Sequence, residues 1–250
     1  MNKSYTSVFM GIIRIIALSC LFLCTDNRIL VCQPSQPSIH LQADFHSSLL
    51  WRGVALERNP VVQATCMFRF EQFQAAFYGT QTFGGGFNAT VLQVQYDIAS
   101  SFGTFTPAIT NFYFPGNRLP LFSFVGDGKG AHTLEAALTF QAPKTFPLKF
   151  FTAVNFYNDP RFSSYTELEY FFLINSVQAS VFAGALLTPH SSWYSSPHSA
   201  IVHQAGINAL GFRATYPIPV TEKWSLPISV AFIANPNAGY VYAVISVTLR

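Results

Sequence analysis

Residues 39–52 read IHLQADFHSSLLWR, and apolar and polar side chains alternate along most of this stretch. In an extended chain, one face would carry the apolar residues Ile39, Leu41, Ala43, Phe45, Leu49 and Trp51. The other face would carry the polar residues His40, Gln42, Asp44, His46, Ser48 and Arg52. A helix would mix these two sets, because its period is about 3.6 residues rather than 2. The stretch therefore predicts a β-strand with one apolar and one polar face.

The same alternation recurs along the rest of the chain, in segments separated by Gly, Pro, Asn or Ser. Twelve segments are predicted, at 39–56, 60–70, 73–83, 88–99, 103–114, 131–142, 146–156, 164–173, 176–188, 200–216, 222–234 and 239–249. Strands of about 9–11 residues can cross a membrane when they are tilted. This pattern is typical of a transmembrane β-barrel, whose strands alternate between lipid and lumen.

The composition is too apolar for an ordinary soluble domain. Hydrophobic residues make up 50% of the 250 residues and charged residues only 10%, and the mean hydropathy is +0.29. Beyond the N-terminus, no apolar run of about 20 residues could form a spanning helix. A closed barrel pairs its backbone without an exposed edge. We therefore predict an all-β fold, a closed antiparallel barrel of about 12 strands in the bacterial outer membrane, with a soluble ligand-binding β-protein as the alternative.

Residues 1–32 have the pattern of a signal peptide. Lys3 and Arg14 supply the charge, and residues 15–24 (IIALSCLFLC) form a short apolar run. The run is too short to span a membrane comfortably, so cleavage between residues 25 and 38 is expected rather than an N-terminal anchor. The predicted organisation is a signal peptide followed by a barrel at 39–250.

The connections between the predicted strands alternate in length. Every second connection is tight, and the longest ones, at 115–130 and 189–199, fall between them. Outer-membrane barrels have short periplasmic turns and longer external loops. Both termini are therefore expected on the periplasmic side, although the connections at 57–59 and 235–238 are short and depart from the pattern.

The stretch LLWRGVALERNPVVQA at 49–64 resembles the opening of the TorF-type porins, a bacterial outer-membrane family of unknown function. Members of that family begin with a Trp-Arg-Gly strand, then a short turn and a Pro-x-x-Gln strand, which Pro60 and Gln63 match. FGTFTPAITNFYFPG at 102–116 is also similar, and the resemblance extends over 44–249. It implies an outer-membrane barrel with a pore, and it assigns neither a substrate nor a catalytic residue.

Strand parity predicts which charged side chains face the lumen, since a charge on the lipid face costs a few kcal/mol. The expected lumen-lining residues are Asp44, His46, Arg52, Arg69, Asp97, Glu135, Lys149, Glu167, Glu169, His203 and Arg213. Acids and bases could pair across the lumen and brace the barrel, or unpaired residues could select solutes at a constriction. Barrels of about 8 strands are filled by side chains and those of about 16 are open channels, so 12 strands predict a narrow one.

The predicted function is passive diffusion of small polar solutes through a narrow outer-membrane channel. Membrane lipid and small polar solutes are the expected partners. We expect no cofactor, no metal and no catalytic residue, because hydrolase and metal-binding motifs are absent from the sequence. A formal charge of +3 without a basic run argues against nucleic acid.

Two other functions stay open at this point. One is a structural or adhesive barrel with a plugged lumen. The other is a lipid-acting enzyme, with His190 and His198 in an outer loop rich in serine. Aromatic residues at 112–114, together with Phe122 and Phe124, predict a girdle at the membrane interface, with an inward plug or ligand clamp as the alternative.

Overall fold

The computed structural model describes residues 36–115, 119–189, 192–194 and 205–250 of the chain. The strands in this part are β1 (Ser38–His46), β2 (Leu49–Trp51), β3 (Val54–Glu57), β4 (Val61–Phe70), β5 (Phe73–Thr82), β6 (Asn88–Tyr96), β7 (Ile98–Ser100), β8 (Gly103–Tyr113), β9 (His132–Gln141), β10 (Leu148–Tyr157), β11 (Ser164–Ile174), β12 (Val177–Leu186), β13 (Gly206–Pro219), β14 (Ser225–Asn235) and β15 (Tyr240–Leu249). The predicted signal peptide, the loop residues His190 and His198, and His203 of the predicted strand 200–216 lie outside the described residues. No helix in this part of the chain is long and apolar enough to cross a membrane.

Antiparallel pairing closes the sheet into a barrel. β1 pairs with β4 on one side and with β15 on the other, and β6 pairs with β8, so that the sheet returns on itself. β7 extends β6 along β8, while β2 and β3 form a separate hairpin. The barrel wall therefore has 12 spans, and the predicted closed antiparallel barrel is confirmed.

The outward face of the wall is an apolar belt. On β1, Ile39 and Leu41 expose 68% and 69% of their surface. Other strands expose large apolar side chains at the same face, including Phe77, Leu92, Ile109, Leu168, Val181, Phe232 and Ile245. Such a surface is unfavourable in water and favourable in hydrocarbon. Together with the closed wall, it is the surface of an outer-membrane barrel.

The first predicted strand is wrong beyond residue 46. β1 ends at His46, and residues 47–60, which we call the inward hairpin, leave the wall and form β2 and β3. Arg52 and Gly53 have φ of 51° and 78° at the tip, as in the type I′ turn that suits the twist of a hairpin. The alternation of Leu49 and Trp51 therefore does not continue the lipid face. The first connection is 47–60 rather than 57–59, so it is one of the long connections.

Candidate functional site in the barrel lumen

The inward hairpin lies inside the barrel. The ring of Trp51 is 5.9 Å from that of Phe112 on β8, and the carbonyl of Gly53 accepts a 2.8 Å hydrogen bond from Asn235 on β14. Val54 is 0% exposed. A segment that touches strands on different sides of a closed wall and is shielded from water must occupy its interior. The hairpin therefore narrows the lumen near the end of the barrel that is expected to be external.

Arg52 fixes the tip of the hairpin to β9. Its guanidinium donates to both carboxylate oxygens of Glu135, at 2.5 and 2.8 Å, and to the hydroxyl of Tyr194 at 3.0 Å. The ring centroids of Trp51 and Phe151 lie 4.4 and 5.0 Å from the guanidinium carbon. Burial acts to lower the pKa of Arg52, but Tyr194 and Glu135 outweigh it and hold the pKa above its ordinary value. The result is a forked, charge-assisted pair with no net charge.

The backbone of the tip is held by two asparagines of the wall. A β-bulge in β13 inserts Asn208 between two paired residues, and its side-chain amide donates to the carbonyl of Arg52 at 2.5 Å. Asn235 bonds the carbonyl of Gly53 in the same way. A Cβ on Gly53 would lie 1.9 Å from the carbonyl oxygen of Asn208. Only glycine fits here, because the backbone passes too close to the bulge.

Apolar contacts complete the seat of the hairpin. Val54 packs with Tyr165, Leu186 and Tyr194, and Leu50 packs against the cluster formed by Phe182, Ala209 and Ile233. We call the inward faces of β9–β14 where they contact the hairpin the packed wall. Burying these side chains stabilises the hairpin in the lumen by the hydrophobic effect.

A short 3-10 turn, Ser192–Tyr194, covers the hairpin from the loop that follows β12. The ring of Tyr194 stacks on Trp51 at 5.4 Å with an interplanar angle of 12°. Burial, more than any other influence, raises the pKa of Tyr194 to about 12. Its hydroxyl is therefore protonated at neutral pH and accepts the hydrogen bond from Arg52.

On the other side of the hairpin lies a cavity of about 600 Å³. The inward faces of β4–β8, which we call the open wall, form its far side. Its lining residues are Leu49, Trp51, Arg52, Leu56, Gln63, Tyr78, Thr80, Phe87, Ala89, Val91, Gln93, Thr110, Phe112, Phe114, Glu135, Phe151 and Trp193. The hairpin thus fills one side of the lumen and leaves space on the other.

The predicted aromatic girdle is wrong in part. Phe112 is buried and lines the cavity together with Phe114. Both rings contact Trp193, at centroid distances of 5.5 and 5.8 Å. Phe122 and Phe124 are exposed. Phe112 and Phe114 point inward because Trp51 of the inward hairpin and Trp193 give them aromatic partners there.

Below the hairpin, charged side chains from β10, β11 and β13 meet around Glu169 of β11. Lys149 forms an ion pair with this carboxylate, and Arg213 donates to it at 2.8 Å and lies 3.6 Å from Glu167. The hydroxyl of Ser180 donates to it at 2.7 Å. The side chains of Lys149 and Arg213 are 30% and 39% exposed. Water can therefore reach this charged cluster inside the barrel.

A second charged cluster lies toward the opposite end of the open wall, near the turn between β4 and β5. Arg69 on β4 is 3.1 Å from the carboxylate of Asp97, which also accepts hydrogen bonds from Gln74 and Thr106 at 2.8 Å. The side chain of Arg69 is 49% exposed. This ion pair is much more solvated than the pair between Arg52 and Glu135.

The remaining predicted lumen residues lie near the seam between β1 and β15. Asp44 accepts a 2.6 Å hydrogen bond from Thr248, and His46 lies 2.7 Å from the hydroxyl of Ser246. The predicted residues that the structure describes are thus brought into several pairs and clusters rather than one site. The ion pairs join neighbouring or nearby strands, and one joins the inward hairpin to β9, while His203 lies outside the described residues.

Sequence reasoning missed the residues that seat the hairpin. It placed Trp51 on the lipid face, and it assigned no role to Tyr194, Asn208 or Asn235. One signal was available, because the predicted strand at 39–56 is nearly twice as long as a span of about 9–11 residues needs to be. The Arg52-Gly53 pair between two short apolar runs is a further signal, because a glycine at that place indicates a hairpin turn.

No family model matches the chain, and no curated protein matches it. The resemblance to TorF-type porins therefore stays a prediction. Among solved structures, the chain is similar to the outer-membrane protein OpdK of Pseudomonas aeruginosa, at 10% identity and a TM-score of 0.40, over 86% of this chain and 67% of that one. A structure of OpdK with vanillate gives 8% identity and a TM-score of 0.39, over 86% of this chain and 59% of that one. The chain thus spans about 59% to 67% of the length of these OpdK chains.

Proposed function

We propose that this protein is a bacterial outer-membrane channel through which small solutes diffuse passively, narrowed at its outer mouth by the inward hairpin. The proposal involves no cofactor and assigns no catalytic residue. A solute would meet the cavity beside the hairpin first and the charged clusters below it afterwards.

The observation that carries the proposal is the solvent exposure of charged side chains inside the closed wall. Lys149 and Arg213 beneath the hairpin are 30% and 39% exposed, and Arg69 is more exposed still. Charges in a packed interior would be shielded from water, as Arg52 and Glu135 are. Solvent-exposed charges inside the wall indicate that a water-filled, polar path continues past the hairpin. Channels that select solutes by the residues of their lining have such a path.

The firm seat of the hairpin also supports a second candidate, a barrel with a plugged lumen and a structural role. Four separate contacts hold the tip: the Arg52–Glu135 pair, the two asparagine hydrogen bonds and the stack of Trp51 on Tyr194. The two candidates differ in whether solute passes while the hairpin is in place.

Conductance of the refolded protein in planar bilayers tests the proposal. His46 pairs with Val61 across β1 and β4, so replacing residues 48–59 by Asn-Gly leaves a short turn between paired strands. We expect a small conductance from the natural chain and a several-fold larger one from this deletion, because the constriction is removed. Gly84→Asn is the matched control, since it creates the same Asn-Gly pair in another turn, where a Cβ would approach only the side-chain nitrogen of Asn59, at 3.9 Å.

Three outcomes separate the candidates. A small conductance that the deletion enlarges supports the channel. A current from the deletion variant alone supports the plugged barrel. If neither the natural chain nor the deletion variant conducts, and the control variant is folded, the protein is not a channel.

A further inference from the structure

We infer that the cavity between the inward hairpin and the open wall is a binding site for a small uncharged aromatic compound that carries a hydroxyl or amide group at one edge. This inference deepens the proposed function, on which it rests, by naming the class of solute. Size, apolar lining, free hydrogen-bonding groups and charge balance each contribute to it.

The size of the cavity fits a single small molecule. Its volume is about 600 Å³, within the range of about 300–1,000 Å³ that is common for ligand pockets. The cavity lies beside the constriction rather than in a surface groove, because its lining comes from the hairpin and from the inward faces of the wall strands. A solute that enters the mouth would therefore contact several strands at once.

The hairpin side of the cavity is aromatic. Trp51, Phe112 and Trp193 form a triangle of edge-to-face contacts, with ring centroids 5.5 to 6.1 Å apart. Such a cluster offers both ring faces and ring edges to another flat ring, and aromatic pairs gain about 0.5–1.5 kcal/mol beyond the burial of their area. This surface favours a planar apolar ring over a flexible or fully polar solute.

The opposite side supplies a few hydrogen-bonding groups. Gln93 and Thr110 are bonded to each other at 3.2 Å, whereas the side chains of Gln63 and Thr80 have no hydrogen-bond partner among the described residues. Because Gln63 and Thr80 have no side-chain partner there, a hydroxyl or amide group of a ligand beside them could form hydrogen bonds with them. One or two polar groups on the ring match this limited set.

The charge balance of the lining favours an uncharged ligand. Arg52 and Glu135 are the only charged residues among the described lining residues. They form a bidentate ion pair with each other, and their side chains are 10% and 3% exposed. An anion or cation would lose hydration in the cavity and would find no unpaired counter-charge. We therefore expect discrimination against the ionised form of an otherwise identical ring.

Tryptophan fluorescence of the refolded full chain measures this binding directly. Trp51 and Trp193 line the cavity, and the third tryptophan, Trp224, lies in the turn before β14. In a Trp224→Phe background, titration with 4-hydroxybenzyl alcohol should change the emission saturably. The ionised analogue 4-hydroxybenzoate should bind at least about tenfold more weakly, because its charge is not compensated.

Two substitutions on neighbouring residues of β6 locate the site. Val91→Phe places a ring in the cavity, whereas Leu92→Phe changes the outward face of the same strand. We expect Val91→Phe to remove the saturable change in fluorescence and Leu92→Phe to leave it unchanged. Because both variants gain the same ring, the comparison also corrects for partition of the probe into detergent. Gln63→Leu should weaken binding of the alcohol by about tenfold, the loss of one hydrogen bond.

Equal affinity for the benzoate, or saturable binding that survives Val91→Phe, would overturn the inference, provided that each variant shows the gel shift on heating expected of a folded barrel. Binding is measured at equilibrium, without a gradient across a membrane. Saturable binding without conductance would therefore retain the site and contradict the channel. Conductance without saturable binding would do the reverse.

Discussion

The packed wall and the open wall each carry an ion pair between an arginine and a carboxylate, but the two pairs differ in their exposure to water. On the packed wall, Arg52 and Glu135 form an ion pair whose side chains are 10% and 3% exposed. On the open wall, Arg69 and Asp97 form one whose side chains are 49% and 24% exposed. A buried pair is costly to break, because one charge is left without a partner, whereas a solvated pair contributes little. The hairpin therefore turns one wall into a structural interface and leaves the other facing the open part of the lumen.

The largest expected effect comes from removing the arginine of each ion pair, Arg52 of the inward hairpin and Arg69 of the open wall. Arg52→Ala leaves Glu135 buried without its partner and should lower the free energy of unfolding by about 3–5 kcal/mol. Arg69→Ala should lower it by at most about 1 kcal/mol, because Asp97 keeps its hydrogen bonds to Gln74 and Thr106. Urea unfolding of the refolded barrels in the same lipid measures both. Equal losses would contradict the distinction between the two walls.

Two glycines with the same backbone angle give the next largest difference. Gly53 and Gly85 both have φ of +78°, but a Cβ on Gly53 would lie 1.9 Å from a backbone oxygen, and a Cβ on Gly85 would meet nothing within 4 Å. Gly85→Ala carries only the cost of the left-handed conformation, about 1 kcal/mol. Gly53→Ala adds a clash with the bulge, so we expect about 2–4 kcal/mol.

The same urea series measures the glycine pair. Conductance provides a second measurement, because displacement of the hairpin tip by Gly53→Ala should also widen the constriction. If Gly53→Ala and Gly85→Ala proved equally mild, the close approach of the tip to Asn208 would be wrong.

The smallest effect concerns Tyr194, whose hydroxyl accepts from Arg52. Tyr194→Phe should cost about 1 kcal/mol at neutral pH, for the loss of one hydrogen bond. Burial raises the pKa of Tyr194 from 10 to about 12, so the folded barrel favours the protonated form. This contribution is fully present below pH 10 and is lost as the pH rises through 12. The stability difference between the natural chain and Tyr194→Phe should therefore shrink above pH 10, and a constant difference would show that Tyr194 is not buried as described.

Much of the wall could be predicted from the sequence, because alternation with a period of 2 is a local property of each strand. β8, predicted at 103–114, spans Gly103–Tyr113, and β15, predicted at 239–249, spans Tyr240–Leu249. The inward positions of Asp44, Arg69 and Glu135 follow from the same parity. The apolar belt follows from the excess of hydrophobic residues, since these have to face lipid.

The inward hairpin could not be predicted in this way, because Leu49 and Trp51 continue the alternation of β1 although they pack inside the lumen. Alternation indicates that a face is shielded from water, and it does not distinguish lipid from the interior of a barrel. The partners that decide the matter are far away in the chain: Glu135 on β9, Asn208 in the bulge of β13, and Asn235 at the end of β14. The sequence alone determines a closed β-wall with a lipid face and a polar lining. Only the tertiary structure decides that residues 47–60 fold into the lumen and leave a cavity on one side, because those contacts join strands that meet only when the barrel closes.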